Sequence, residues 1–145
     1  MTLDHIGIAL TNPTQQDLFT RLLGRSPYKT EHVPGQAVET IFYRGGGAVA
    51  VDQHSAAKVE LLATDEEDSP IGKFLAKRGP GLHHLAFRVD DIRAEMERLK
   101  SEGFELLQEE PTPGADNKLI CFLHPKTTGG VLVELCQALP PPSHE

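Results

Sequence analysis

A short stretch of this chain occurs twice. Asp4-His5-Ile6-Gly7-Ile8-Ala9-Leu10 returns as His83-His84-Leu85-Ala86-Phe87-Arg88-Val89, 79 positions further on. The same offset carries Gly24 onto Gly103, and each copy then closes on a shared phrase, Val59-Glu60-Leu61 and Val133-Glu134-Leu135. The chain must therefore fold as two units of one design, with one histidine and one glutamate at matching places in each.

The local pattern gives each unit its elements. Residues 3–10 alternate as a strand, with Ile6, Ile8 and Leu10 on one face and His5, Gly7 and Ala9 on the other. Asn12-Pro13 reads as a helix cap followed by proline at the first turn. Leu18, Phe19, Leu22 and Leu23 make the apolar stripe, and Gly24 the stop. Two or three strands follow, clearest at 37–43 and 58–63, with Gly45-Gly46-Gly47 as a turn and room for an extra hairpin through Val49–Val51. Residues 64–81 form a connector. Ser69-Pro70 opens a short helix that buries Ile71, Phe74 and Leu75 and stops at Gly79-Pro80-Gly81. The second unit repeats the plan: a strand over 83–89, an Asp91 cap, a stripe of Ile92, Met96 and Leu99, and a stop at Gly103. Strands near 104–109, 118–123 and 131–136 complete it, with 112–117 as a turn or mobile loop. The expectation is an α+β chain of two tandem β-α-β-β-β modules, about 3–63 and 82–138, in one domain spanning 1–145.

Strand parity chooses between two adjacent histidines. Only one of them can share a face with Ala86, and the offset pairs His84 with His5 and His83 with Asp4. His84 then points where His5 points, and His83 points away.

Bulk properties narrow the function. A length of 145 residues and 39% hydrophobic content suit a globular fold with a real core. Net charge is −7, which argues against nucleic acid as a partner. No apolar run is long enough to cross a bilayer, and no signal or transit peptide is visible. Cys121 and Cys136, the two cysteines, read as reduced core thiols. A cytoplasmic protein is the expectation.

The repeated residues carry the chemistry. Histidine nitrogen and carboxylate oxygen together suit a borderline divalent ion: Co, Mn, Ni, Zn or Fe. A glutamate between valine and leucine in a strand is costly to bury unless paired or metal-bound. Any one such residue could be a solvated strand position. Four in two matching copies, His5, Glu60, His84 and Glu134, point to one metal site built by duplication.

The layout resembles the vicinal oxygen chelate superfamily over about residues 3–138 and, within it, the methylmalonyl-CoA epimerase family. The phrases that carry this are Asp4–Ala9, Ser69-Pro70-Ile71-Gly72-Lys73-Phe74-Leu75, Gly81–Ile92, and above all Phe122-Leu123-His124-Pro125-Lys126 followed by Gly129-Gly130-Val131-Leu132-Val133-Glu134-Leu135. The resemblance implies a glyoxalase-like fold in which the modules form a curved mixed sheet around a metal cleft, with His5, Glu60, His84 and Glu134 as ligands. It implies a divalent cofactor, cobalt first and Mn, Ni or Zn next, an acyl-CoA substrate and a homodimer. Such an epimerase moves a proton at the carbon between a thioester and a carboxylate, with a base on each face. The family's bases map onto Glu134 and Glu39. A CoA tail needs phosphate partners; Lys118 and Lys126 lie beside the second-module strands and Lys73, Lys77 and Arg78 sit on the connector helix, where solvated surface charge is the usual role and none is assigned as a ligand.

Other functions on the same fold fit less well. Glyoxalase I carries an arginine four residues after its first histidine, where this chain has Ala9. A ring-cleaving dioxygenase needs two histidines, one carboxylate and open positions, so Glu60 and the short chain count against it. Ligand-sequestering proteins of this fold typically lack the metal ligands. The Gly45–Ser55 stretch looks longer than the family's usual turn and bears on one wall of the cleft.

Overall fold

In the computed structural model, residues 1–12, 14–33, 37–45 and 56–143 are described. Their order is β1 (Thr2–Ala9), α1 (Thr14–Leu23), β2 (Lys29–Val33), β3 (Val38–Tyr43), β4 (Lys58–Ala63), α2 (Pro70–Arg78), β5 (Gly81–Arg88), α3 (Ile92–Ser101), β6 (Thr112–Gly114), β7 (Lys118–Leu123) and β8 (Val133–Ala138). This is β-α-β-β-β twice, with α2 as the connector. The chain divides into two compact units, one of residues 5–83 and one of residues 1–4 with 84–145.

In the first unit β1 pairs in parallel with β4, which pairs antiparallel with β3, and β3 with β2. Two apolar clusters cover its faces. Leu10, Ile41, Tyr43 and Leu61 pack under Phe19 and Leu23 of α1. Ala9, Val38, Leu62 and Ile71 pack with Phe74 and Leu75 of α2. The face of β1 bearing His5, Gly7 and Ala9 is therefore covered as well, and all three residues are buried. Tyr43 ties its strand to α1 through its hydroxyl, 2.7 Å from Thr20 Oγ1. One expectation fails here. Leu18 and Leu22 are 52% and 75% exposed. The stripe facing the sheet is narrower than the run of leucines suggests, because i and i+4 positions share one side of a helix and Phe19 and Leu23 occupy the buried one.

The connector behaves as its residues require. Ser69 Oγ accepts from the Gly72 amide at 3.0 Å, Pro70 opens the helix, and Gly79 closes it at φ 73° with its amide donating to Leu75 O. Gly72 is needed for space: a Cβ there would stand 2.2 Å from Glu66 O.

In the second unit β5 pairs in parallel with β8, and β8, β7 and β6 follow antiparallel. Asp91 caps α3 through the Ala94 amide, and Val89, Ile92, Met96, Leu99, Cys121, Leu123 and Leu135 form its core. The strand after α3 sits later than expected. Residues 104–109 make only an isolated bridge, Leu106 to Leu123, and the short strand is Thr112–Gly114, inside the stretch read as a loop. Asp116 and Asn117 at φ 62° and 54° make the reversal into β7, as side chains tolerant of the left-handed region can. The last strand runs over 133–138. The hairpin considered at Val49–Val51 lies outside the described residues.

Candidate metal centre

Each unit presents one histidine–glutamate pair. In the first, His5 on β1 and Glu60 on β4 are 5% exposed, with Nδ1 and Oε2 2.6 Å apart. In the second, His84 on β5 and Glu134 on β8 are 8% and 6% exposed, with Nε2 and Oε2 3.0 Å apart.

The strand register explains why both pairs form. Glu60 stands beside Gly7, two residues past His5 on the same face of β1. Glu134 stands beside Ala86, two residues past His84. A small residue next to each glutamate leaves room for the histidine to lean across. On its other side each glutamate faces a phenylalanine, Phe42 opposite Glu60 and Phe122 opposite Glu134. Phe42 is fully buried, and Phe122 meets the His84 ring edge-on at 6.1 Å between centroids. The duplication thus reaches beyond the shared phrases to a small–Glu–Phe row across three strands. The two phenylalanines escape a reading from sequence because the β3–β4 and β7–β8 connections differ in length, which breaks the offset.

The pairs fit a divalent cation. Two buried carboxylates on apolar strands have one histidine each, and imidazole nitrogen with carboxylate oxygen is the donor set of borderline metals. Adjacent ligand atoms on an ion with bonds of about 2.1 Å at right angles lie about 3 Å apart. The 3.0 Å His84–Glu134 separation matches that spacing, and the 2.6 Å His5–Glu60 separation is that of a direct contact.

His83 has the opposite orientation from His84, as parity requires. Its ring stands edge-on to Phe74 at 4.8 Å. Glu39 is exposed and pairs across the ladder with Ala63 and His32. The register puts it with Ile41 and Tyr43 on the α1 side of the sheet, opposite the face of Glu60. There it lines a cleft of about 400 Å³ with Leu10, Asn12, His32, Thr64 and Asp65. Glu39 and Glu60 are therefore not brought together.

Two of the cations considered for a CoA tail lie against carboxylates. Lys118 is 6% exposed, and its Nζ lies 2.7 Å from Asp4 Oδ2. Lys126 Nζ lies 2.9 Å from Glu105 Oε2, and that hydrogen bond holds the Glu105 carboxyl below its ordinary value. The His124-Pro125-Lys126 run is a single 3-10 turn over Pro125–Thr127 capped by His124 Nδ1, which accepts from the Lys126 amide. Cys121 is buried near Glu134. Loss of solvent first, and the glutamate's charge second, push its thiol up to about 11.

The Glyoxalase/Bleomycin resistance protein/Dioxygenase superfamily model matches residues 4–122. The mitochondrial methylmalonyl-CoA epimerase of Homo sapiens is 37% identical over 138 residues, covering 94% of this chain and 73% of that protein. A variant of the Streptomyces coelicolor methylmalonyl-CoA epimerase in complex with 2-nitronate-propionyl-CoA superposes with a TM-score of 0.86 at 33% identity, covering 97% of this chain and 99% of that one. A methylmalonyl-CoA epimerase in complex with methylmalonyl-CoA and NH4+ superposes with a TM-score of 0.81 at 33% identity, covering 94% of each. The chain belongs to the glyoxalase/bleomycin resistance/dioxygenase superfamily, has its α+β fold, and within it is a member of the methylmalonyl-CoA epimerases, a family of isomerases.

Proposed function

We propose that this protein interconverts the 2R and 2S forms of methylmalonyl-CoA by 1,1-proton transfer, using a divalent cation held jointly by His5, Glu60, His84 and Glu134. The observation that carries the reading is the doubled, buried His/Glu pair in a chain of this family. Removing the α-proton places charge on the thioester oxygen, and a bound divalent cation would supply the Lewis acidity that stabilises it. The protein's own groups do the rest. Glu134, with its carboxylate on an apolar strand beside Ala86 and Phe122, is proposed to take and return the proton on one face. The buried faces around both pairs exclude water, which strengthens each electrostatic contact. Glu39 is put forward for the opposite face of the carbon on the resemblance alone. Its place on the α1 side of its sheet makes the Glu39→Gln exchange experiment the deciding one.

Cobalt is the metal proposed first, and a cytoplasmic homodimer the setting. Incubation of the cobalt-loaded protein with (2R)- or (2S)-methylmalonyl-CoA in deuterated water tests the reading, beside a glutathione–methylglyoxal assay. Deuterium at the α-carbon with conversion of either epimer is expected. Turnover confined to the second assay would reassign the protein to lactoylglutathione chemistry.

A further inference from the structure

The small–Glu–Phe row beside each histidine continues one position further, and there the two copies differ. In the first unit Gly7, Glu60 and Phe42 are followed by Lys29, which pairs with Phe42 across β2 and β3. Lys29 Nζ lies over the Phe42 ring, 5.2 Å from its centroid, so the side chain stands on the face of Glu60. In the second unit the bridge of Leu106 to Leu123 sets Leu107 beside Phe122, whose carbonyl accepts from the Leu107 amide at 2.8 Å. The row there ends on an apolar side chain that is 49% exposed. The same place thus takes leucine in one copy, and packing does not call for a cation. Stability does not call for one either. Lys29 Nζ lies 3.2 Å from Glu31 Oε2, with the two side chains 38% and 31% exposed. Ion pairs so open to water contribute about 0–1 kcal/mol.

Position gives the charge a target. Neighbouring strands lie about 4.8 Å apart, so the backbones of Lys29 and Glu60, with Phe42 between them, are about 10 Å apart. A lysine stem laid across an aromatic ring, and a carboxylate borne on the reacting carbon, fill that interval together. An ammonium carries three donors, so Lys29 can keep Glu31 and still donate to a second carboxylate. We propose that Lys29 is a specificity-determining residue that binds the free carboxylate of the substrate, selecting 2-carboxyacyl-CoA thioesters over acyl-CoA thioesters without that group. The assignment rests on the epimerase reading given above.

The test compares wild type with Lys29→Met, which keeps the stem and removes the charge, and with Lys29→Arg, which keeps the charge. Arg44→Met removes a cation that lies over the Tyr28 ring at 4.2 Å and serves as the charge control. Binding of malonyl-CoA, and of propionyl-CoA, which lacks the carboxylate, is read by titration calorimetry of the cobalt-loaded proteins, and folding by thermal unfolding. Lys29→Met is expected to weaken malonyl-CoA binding about tenfold, the low end for a hydrogen bond to a charged group because the lysine is partly exposed. Propionyl-CoA binding and the unfolding midpoint should stay near wild type. Lys29→Arg is expected to keep most of the preference, and Arg44→Met all of it. An equal loss for both thioesters would move Lys29 to the CoA arm, and no loss for either would leave it a surface charge; each result overturns the proposal. A wild type that binds neither thioester would overturn the epimerase reading and this assignment with it.

Discussion

Replacing Lys118 by methionine leaves Asp4 as a carboxylate buried to 1% exposure with its 2.7 Å partner gone. Breaking one side of a buried ion pair costs about 3–5 kcal/mol, most of it the penalty of an uncompensated charge. The structure places this case at the low end. Arg88 stays 4.0 Å from Asp4, and with a side chain 35% exposed it has room to move closer. The expected loss is about 3 kcal/mol, a large share of the stability of a domain this size. For a domain of about 150 residues that lowers the unfolding midpoint by about 6–12 °C. Urea unfolding followed by circular dichroism measures it, with an unchanged slope expected because the unfolded surface is the same. Asp4→Leu in the same chain should restore most of the loss. A change below about 1 kcal/mol in the single variant would refute the reasoning, since it would mean that Asp4 carries no buried charge.

Further outcomes are expected at three residues. Glu134→Gln keeps the shape of the side chain but removes the proposed base, so α-deuterium incorporation should fall about 10²–10⁴-fold for the epimer whose proton faces Glu134, and inversion should fall for both. Glu39→Gln, if Glu39 serves the second face, should retain exchange from one epimer while losing inversion. Inversion at the wild-type rate would leave Glu39 with the α1-side cleft and outside the chemistry. With its thiol raised to about 11, Cys121 should resist iodoacetamide at pH 8 in the folded protein and react once it is unfolded. Because the raised value lies above the ordinary 9.0, folding holds the proton that the unfolded chain releases. Stability should therefore decline as pH rises from about 9 towards 11, as buffered thermal scans would show.

Much of this was legible in the chain because a duplication states its own geometry. The 79-residue offset placed both modules, and strand parity selected His84 over His83, with the His84–Glu134 contact on one side and the His83–Phe74 stack on the other. Ser69-Pro70 and Asp91 marked helix starts because caps are local chemistry. What depends on register was not legible. Pairing of β3 with β4 turns Glu39 towards α1 and sets Phe42 opposite Glu60, and neither follows from composition or spacing. Leu18 and Leu22 carry the same apolar signal as Phe19 and Leu23, and only the packed sheet tells the two sides of α1 apart. Lys118 looks like a surface cation until Asp4, 114 positions away, is found against it.

The central claim is that two His/Glu pairs, one from each copy of the repeat, serve a single ion. Metal content and cobalt titration of the purified, reloaded protein test it most directly. The account predicts one cobalt per chain, lost alike in His5→Ala and His84→Ala. Two ions per chain, or a site that survives removal of either histidine, would contradict it.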